Sequence, residues 1–254
     1  MPTIRGDARV LVLCYHAVSE TWPAALSVTP AALRRQLEGF LARGWTAATF
    51  TEAVMRTRRG KTLVVTFDDG YDSVRRHASP LLAELGVPGT LFVPTNWPGE
   101  RMQWPGIDHW ATTAHADELQ AMTWDDLRAL AAGGWEIGSH TCSHPHLSQL
   151  DDDAIRLELV DSRAVCEREI GQPCRSVAYP YGDVDERVRS AAAAAGYDAA
   201  AGLGTPALQR TRFEWPRVGV WHSEPDWRVR IKTSRPALWP RMRAIEARLR
   251  RRPA

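Results

Sequence analysis

Few features of this chain signal covalent cross-linking or membrane insertion. Its four cysteines, Cys14, Cys142, Cys166 and Cys174, lie at unrelated spacings and form no Cys-x-x-Cys pair. That pattern gives no basis for a disulfide framework and reads as reduced thiols in the core or in loops. Long apolar runs are missing too. Val10–Cys14 is far too short to span a bilayer, and Met1–Asp7 holds no apolar leader segment. The expectation is a soluble, cytoplasmic protein. Net charge is only +2 over 254 residues, so no nucleic-acid partner is expected. The chain also lacks a repeat of fixed period and a linker-like stretch. Apolar residues make up 44% of it, ample for one large α/β domain.

What charge there is lies unevenly. From Arg235 to Ala254 seven Arg and one Glu give +6, which leaves −4 on the rest of a chain whose total is +2. Tryptophan is abundant, eleven against five Tyr and five Phe. Core packing accounts for most residues of this type. Trp97, Trp104 and Trp110, however, fall in a Pro- and Gly-containing stretch, where an exposed ring would suit the face of a sugar.

Short β-branched runs alternate with amphipathic stretches. Strands are predicted at Val10–Leu13, Trp45–Thr49, Thr62–Phe67, Thr90–Val93, Trp135–Gly138 and Ser176–Tyr179, with two more near Asp198–Ala201 and Arg217–Val220. Thr29-Pro30 opens a helix with an apolar stripe of Leu33, Leu37, Phe40 and Leu41, ended by Gly44. Further helices are predicted from Asp72 to Leu85, from Thr123 to Ala132, from Asp151 to Ile170 and from Asp183 to about Gly196. Residues 94–122 form a long irregular segment, of the kind that often carries function. Alternating strands and helices imply parallel pairing with right-handed crossovers. A doubly wound sheet and a barrel both satisfy this.

Three polar clusters each follow a predicted strand, which favours a (β/α) barrel with its site at one mouth. The first is Asp68-Asp69-Gly70. Asp-Gly is a common turn former, but successive side chains leave a strand in different directions. One acid is therefore able to bind a metal while its neighbour stays free. The second is His140-Thr141-Cys142-Ser143-His144. If this segment makes one helical turn, both rings face one point, with Cys142 turned away and His146 beyond Pro145. Two His and one carboxylate leave open positions for water and substrate. The third, Tyr179-Pro180-Tyr181-Gly182, is either a plain turn or a source of a backbone N–H for an oxyanion. The spare acid suits a base that activates water in metal-assisted hydrolysis.

These clusters resemble the motifs of the polysaccharide deacetylases, the NodB-homology carbohydrate esterases. Thr66-Phe67-Asp68-Asp69-Gly70 matches the first motif, Ser139–His144 the metal-binding second and Pro180-Tyr181-Gly182 the third; Tyr15-His16 is similar to an element of one branch. The resemblance implies a distorted (β/α)7 barrel over residues 8–233, with 234–254 as a basic tail. It implies a hydrolase acting on carbon–nitrogen bonds, removing N-acetyl groups from an amino-sugar polysaccharide, oligosaccharide or lipid-linked glycan. Asp69, His140 and His144 would hold a divalent metal, zinc first, with cobalt, nickel or manganese as alternatives. Asp68 would take the proton of the attacking water. The Tyr181 N–H would stabilise the oxyanion, and Pro180, Tyr181 and His16 would border the substrate.

The chain departs from the family pattern twice. The Arg that usually orients the base two residues before the Pro is Ala178 here, and Arg217 in Trp215-Pro216-Arg217-Val218 is the expected substitute. The general acid, usually a His after a late strand, would be His222, with His16 or the returning Asp68 as alternatives. Related branches leave two other activities open, hydrolysis of a cyclic amide and carbohydrate binding without catalysis. In the tail, Leu238, Met242, Ile245 and Leu249 mark one helical face opposite the arginines. Such a helix either docks on the barrel or lies on an anionic membrane.

Overall fold

Seven parallel strands close into a ring because β1 (Arg9–Tyr15) pairs on both its edges. One edge runs the full length of β5 (Lys61–Phe67), from Arg9 opposite Lys61 to Tyr15 opposite Phe67. The other meets β10 (Trp215–Gly219), with Leu13 opposite Val218. Between them the ring continues through β6 (Gly89–Val93), β7 (Glu136–Ser139), β8 (Ser176–Ala178) and β9 (Ala199–Leu203). The computed structural model describes residues 9–56, 60–204 and 211–234. The predicted tail, from 235 onward, lies outside the described residues.

The barrel is the expected one, with corrections at its joints. The predicted strand at Trp45–Thr49 shrinks to β4 (Thr46–Ala47), which pairs with the start of β5 and takes no place in the ring. Two further short strands, β2 (Ala17–Val18) and β3 (Ser27–Val28), pair with each other above the ring. The helix predicted up to Leu85 begins as a wide turn over Val74–Ala78 and becomes regular only in α3 (Ser79–Glu84). Pro80 lacks an N–H, and the widened turn accommodates that missing donor. Asp183 does not start the following helix. Its carboxylate accepts from the Ser148 N–H and hydroxyl, and Asp185 caps α6 (Glu186–Ala194) by accepting from the Val188 N–H.

The remaining helices pack outside the ring. In α1 (Pro30–Leu41) the Thr29 hydroxyl accepts from the Ala32 N–H, and Leu33, Leu37 and Phe40 are buried. Each such side chain contributes roughly 1.5–3 kcal/mol by burial. Thr123 and Asp126 form a reciprocal capping box on α4 (Trp124–Ala132), and Asp151 caps α5 (Asp152–Ile170). Short α7 (Asp226–Lys232) lies along α1. Two helices were not predicted, α7 and the one that follows β4. In α2 (Phe50–Met55), Phe50, Ala53 and Val54 join Val10, Val12, Val64, Phe92, Ala178, Ala199 and Ala201 in the barrel interior, so the helix plugs the end where the strands begin. Its first N–H groups are held by the Thr90 hydroxyl and the Glu136 carboxylate.

Most tryptophans serve the core. Trp22, Trp45, Trp104, Trp135 and Trp215 are buried, and Trp22 packs edge-on against Tyr71 and Trp110. Close packing also fixes Gly138 in β7. A Cβ there would lie 2.7 Å from two Phe92 ring carbons and from the Ser176 hydroxyl. Gly138→Ala is therefore expected to destabilise the fold by about 1–3 kcal/mol. That lowers the melting temperature by about 2–4 °C per kcal/mol for a chain of this size. An unchanged melting curve would mean that β6, β7 and β8 separate more easily than their packing implies.

Candidate active site

The strands deliver the polar clusters to one mouth of the barrel. Asp68 and Asp69 follow β5, His140 follows β7, and Pro180-Tyr181-Gly182 follows β8. Asp68 is 3% exposed and Arg217, from the middle of β10, is fully buried. Arg217 Nη1 donates to Asp68 Oδ1 at 2.6 Å and Nη2 donates to Oδ2 at 2.8 Å. This is the bidentate geometry that makes Arg–carboxylate pairs strong. The guanidinium is itself held. Its Nε donates to the Gly202 carbonyl at 3.2 Å, Nη1 also donates to the Thr66 hydroxyl at 3.1 Å, and its plane lies 5.2 Å from the Phe92 ring. Burial alone would push the Asp68 carboxyl up, but Arg217 and then His140 outweigh it and hold the group well below the usual carboxylate range.

The orienting Arg thus reaches the base from β10. At the position where the family pattern has Arg, Ala178 packs inside the barrel with Ala199 and Ala201. Three small side chains on β8 and β9 leave the interior space that the guanidinium occupies.

Asp69, His140 and His144 converge beside this pair. Asp69 Oδ1 lies 3.5 Å from His140 Nε2 and 3.4 Å from His144 Nε2. His140 Nδ1 is 2.8 Å from the Ala178 carbonyl, which fixes the N–H on that nitrogen and turns the Nε2 lone pair toward Asp69. Burial pushes His140 down to about 4, so the ring is neutral at neutral pH, as a ligand must be. Asp69 Oδ1 is a buried oxygen with no hydrogen-bond donor. Two imidazoles and one carboxylate are a donor set for zinc or a similar divalent ion. Ligands bonded at about 2.05 Å in a tetrahedral site stand about 3.3 Å apart, close to the separations seen here. The residues fit the metal.

The segment joining the histidines is not the helical turn predicted for it. Thr141 and His144 both have left-handed backbones, φ 68° and 62°. Pro145 disfavours helical geometry at the residue before it, and the Thr141 hydroxyl accepts from the His144 N–H at 3.1 Å. Glu158 of α5 completes the clamp: Oε2 accepts from the Cys142 and Ser143 N–H groups at 2.7 and 3.0 Å, and Oε1 accepts from the Ser143 hydroxyl at 2.5 Å. Cys142 is turned away from the ligands, its Sγ 3.7 Å from the Glu158 carbonyl. His146 stacks on the Tyr181 ring at 3.9 Å.

A second group, Cys14, His16 and Asp68, also has its donor atoms within 4.8 Å of one another. It is a poor metal site. Both Asp68 oxygens are engaged by Arg217, and burial pushes the Cys14 thiol up, so it stays protonated and points at Asp68 Oδ2 from 3.4 Å. His16 is buried, stacked on Trp221 at 5.4 Å, and its Nδ1 has no partner. His222 takes a different position. Its Nδ1 lies 3.3 Å from the Ser27 carbonyl, on the β2–β3 side. Tyr181 is half-exposed at the rim with φ 60°, its ring edge-on to His144, and Pro180 is buried beneath it. Trp104, from the 94–122 segment, stacks on the other side of His144 at 4.4 Å. The sequence offered no signal for Cys14, Glu158 or Trp221; Trp104 was conspicuous only as a loop tryptophan.

Residues 55–200 match the family model described as polysaccharide deacetylase. The chain belongs to the polysaccharide deacetylase family. Among its relatives, YxkH of Bacillus subtilis (strain 168), named for the same family, is 25% identical over 195 residues, 75% of this chain and 63% of YxkH. The chain thus spans less than two thirds of that relative. A peptidoglycan-N-acetylglucosamine deacetylase of Bacillus cereus is 30% identical over 60 residues, 24% of this chain and 22% of its own length. The deacetylase PplD of Streptococcus pyogenes, solved with acetate, superposes with a TM-score of 0.75 at 18% identity, covering 91% of this chain and all of PplD. That likeness establishes the shared barrel. The deacetylase-family match covers β5 to β8, and so includes Asp68, Asp69, His140 and His144; Arg217 and His16 lie outside it.

The clamp on the histidine loop generates a prediction. Removing the Glu158 carboxylate frees two N–H groups between the two imidazoles, so Glu158→Ala should weaken zinc affinity by about 10–100-fold. Glu158→Gln keeps an acceptor oxygen and should recover part of it. Competition with a chromophoric chelator reads this directly, and equal affinity in all three proteins would remove Glu158 from the account.

Proposed function

We propose that this protein is a divalent-metal-dependent hydrolase that removes N-acetyl groups from an amino-sugar-containing glycan. The observation that carries the proposal is the separation of roles at one mouth: a carboxylate pinned by Arg217 stands beside a second carboxylate that faces two imidazoles and, among the described residues, no Arg or Lys. Family membership supports the reaction class. The name of the Bacillus cereus relative supports N-acetylglucosamine as the sugar to try first.

A bound divalent ion, zinc in the first instance, would supply a Lewis acid for the acetyl carbonyl and acidify the attacking water. The protein's own groups do the rest. Asp68 accepts the water proton. Each of its oxygens accepts one bond from Arg217, and Oδ2 accepts a further, weak one from the Cys14 thiol. Oδ2 lies 3.9 Å from His140 Nε2, and the water proton takes the place of the thiol contact there. Arg217 keeps this carboxylate ionised and fixes its plane. That costs basicity, because a carboxylate held so far down is a weak proton acceptor, and the exchange favours positioning over driving force. The backbone N–H of Tyr181 donates to the oxyanion as the carbonyl carbon becomes tetrahedral, an interaction worth roughly 3–4 kcal/mol. The leaving amine takes its proton from His16, which is buried beside Asp68 with a free Nδ1, and the stacked Trp221 ring holds the imidazole in place. His222 is left a structural part in the turn above β3. Trp104 and Tyr181 flank His144 and border the sugar.

The test is metal analysis with acetate release from N-acetylglucosamine oligomers. Asp68→Asn should keep metal and lose release; release that survives would refute Asp68 as the base. Small cyclic imides in the same assay examine the other activity open to this fold, and turnover of these without acetate release would replace the deacetylase assignment. Arg217→Ala should cut turnover on the order of a hundredfold through loss of alignment, with metal content intact. It should also cost about 3–5 kcal/mol of stability by leaving Asp68 buried and unpaired. Arg217→Lys, read at a temperature where both proteins are folded, separates the two effects: a lysine keeps the charge but loses the bidentate fork. Turnover equal to the parent in Arg217→Lys would sink the alignment role.

A further inference from the structure

The end of the barrel away from the mouth carries a cluster of cations that nothing in the catalytic site requires. Arg9 and Lys61 are the first residues of β1 and β5 and stand side by side in register. The Arg9 guanidinium lies over the Trp45 ring at 5.6 Å. Trp45 meets Phe40 edge-on at 5.9 Å, and Arg43 lies over Phe40 at 4.6 Å. Lys61 Nζ donates to the Arg43 carbonyl at 2.8 Å. Arg230, on α7, borders a small groove with Arg43 and is close enough to repel it. Among the described residues, none of these four cations has a carboxylate within ion-pair distance. Neighbouring arginines do: Arg34 pairs with Glu84 and Arg35 with Asp226. Four cations, two of them on aromatic rings and two repelling each other, form a surface short of an anion.

Two further observations say what kind of anion. Trp227 is 56% exposed, the most exposed of the large apolar side chains among the described residues, and lies three residues before Arg230, on the same face of α7. Directly after α7 the sequence adds seven arginines from Arg235 onward, interleaved with Leu238, Met242, Ile245 and Leu249, and residues 57–59 add Arg58 and Arg59. Cations alone would suit a nucleic acid or an acidic polymer. Cations with an exposed Trp and interleaved apolar residues match the interface of an anionic bilayer, where an indole ring sits at the headgroups and basic side chains meet lipid phosphates.

We propose that this face docks the protein on an anionic lipid bilayer, with Arg9, Arg43, Lys61 and Arg230 against the headgroups and Trp227 in the interface. β1 and β5 run from this face to the mouth. Seven residue steps of about 3.3 Å from Lys61 put Asp68 about 23 Å from it, on the opposite end of the barrel. A docked protein therefore turns its site toward water and takes a glycan that reaches it from solution.

The experiment is cosedimentation of the full chain with vesicles of phosphatidylcholine alone and of phosphatidylcholine with phosphatidylglycerol. Binding is expected only to the anionic vesicles and should fall with added salt. Arg43→Glu/Arg230→Glu should lower the vesicle partition coefficient by about tenfold or more, and Trp227→Ser by a few-fold, with melting curves like the parent's. Equal binding to neutral vesicles, or parent-like binding by the double variant, would overturn the proposal. So would retention on heparin without vesicle binding, which would assign the face to a soluble polyanion. None of these readouts depends on acetate release, so failure of the deacetylase assignment leaves this test intact.

Discussion

The ion pair between Arg217 and Asp68 is the constraint around which the barrel interior is arranged. Burying two charges costs several kcal/mol each, and the attraction between them compensates only where every donor and acceptor is matched. Here the matching extends outward. The guanidinium also bonds the Thr66 hydroxyl and the Gly202 carbonyl and faces the Phe92 ring, while Asp68 holds its backbone N–H against the Tyr15 carbonyl. Strands β1, β5, β6, β9 and β10 each supply one of these partners. The small residues Ala178, Ala199 and Ala201 are the steric side of the same arrangement, since a larger residue at any of them would compete for the volume that the Arg217 side chain fills.

The general plan was legible in the sequence because apolar strands ended at chemically distinctive residues. Continuous runs such as Thr62–Phe67 signal strands buried on both faces, and acids or imidazoles at their ends mark the mouth. What was hard to see depended on local geometry. His-x-x-x-His spacing has the period of a helix, but two left-handed residues and a glutamate 14 residues further on bring the rings together by another route. The plugging helix α2 is one and a half turns long and buried on most sides, so it has no polar face to give a periodic signal. Asp183 and Asp185 are equally good caps on paper; Ser148, distant in sequence, decides between them. Likewise His16 and His222 both follow apolar strands, and only the closure of β1 against β5 separates the histidine near Asp68 from the one near Ser27.

The two faces of the barrel divide the aromatic residues as well as the charges. At the mouth Trp104, Tyr181 and Trp221 bracket imidazoles, which limits how far those rings rotate. At the other end Phe40 and Trp45 carry guanidinium groups. In both places an aromatic plane fixes the direction of a group that titrates or is charged, and at neither does it need a hydrogen bond to do so.

The route by which the orienting arginine reaches the base has a bearing on how the molecule comes together. The three candidate ligands lie within 75 positions of one another, just after β5 and β7, whereas Asp68 and Arg217 are 149 positions apart. Closing the longer loop costs more entropy and requires β10 to have docked on β1. A chain synthesised from its N-terminus therefore completes the ligand trio's strands well before the arginine that holds Asp68 has emerged. The site is assembled in two instalments, a cation cradle first and an aligned base last, and the final strand of the barrel acts as the latch that turns the first into the second.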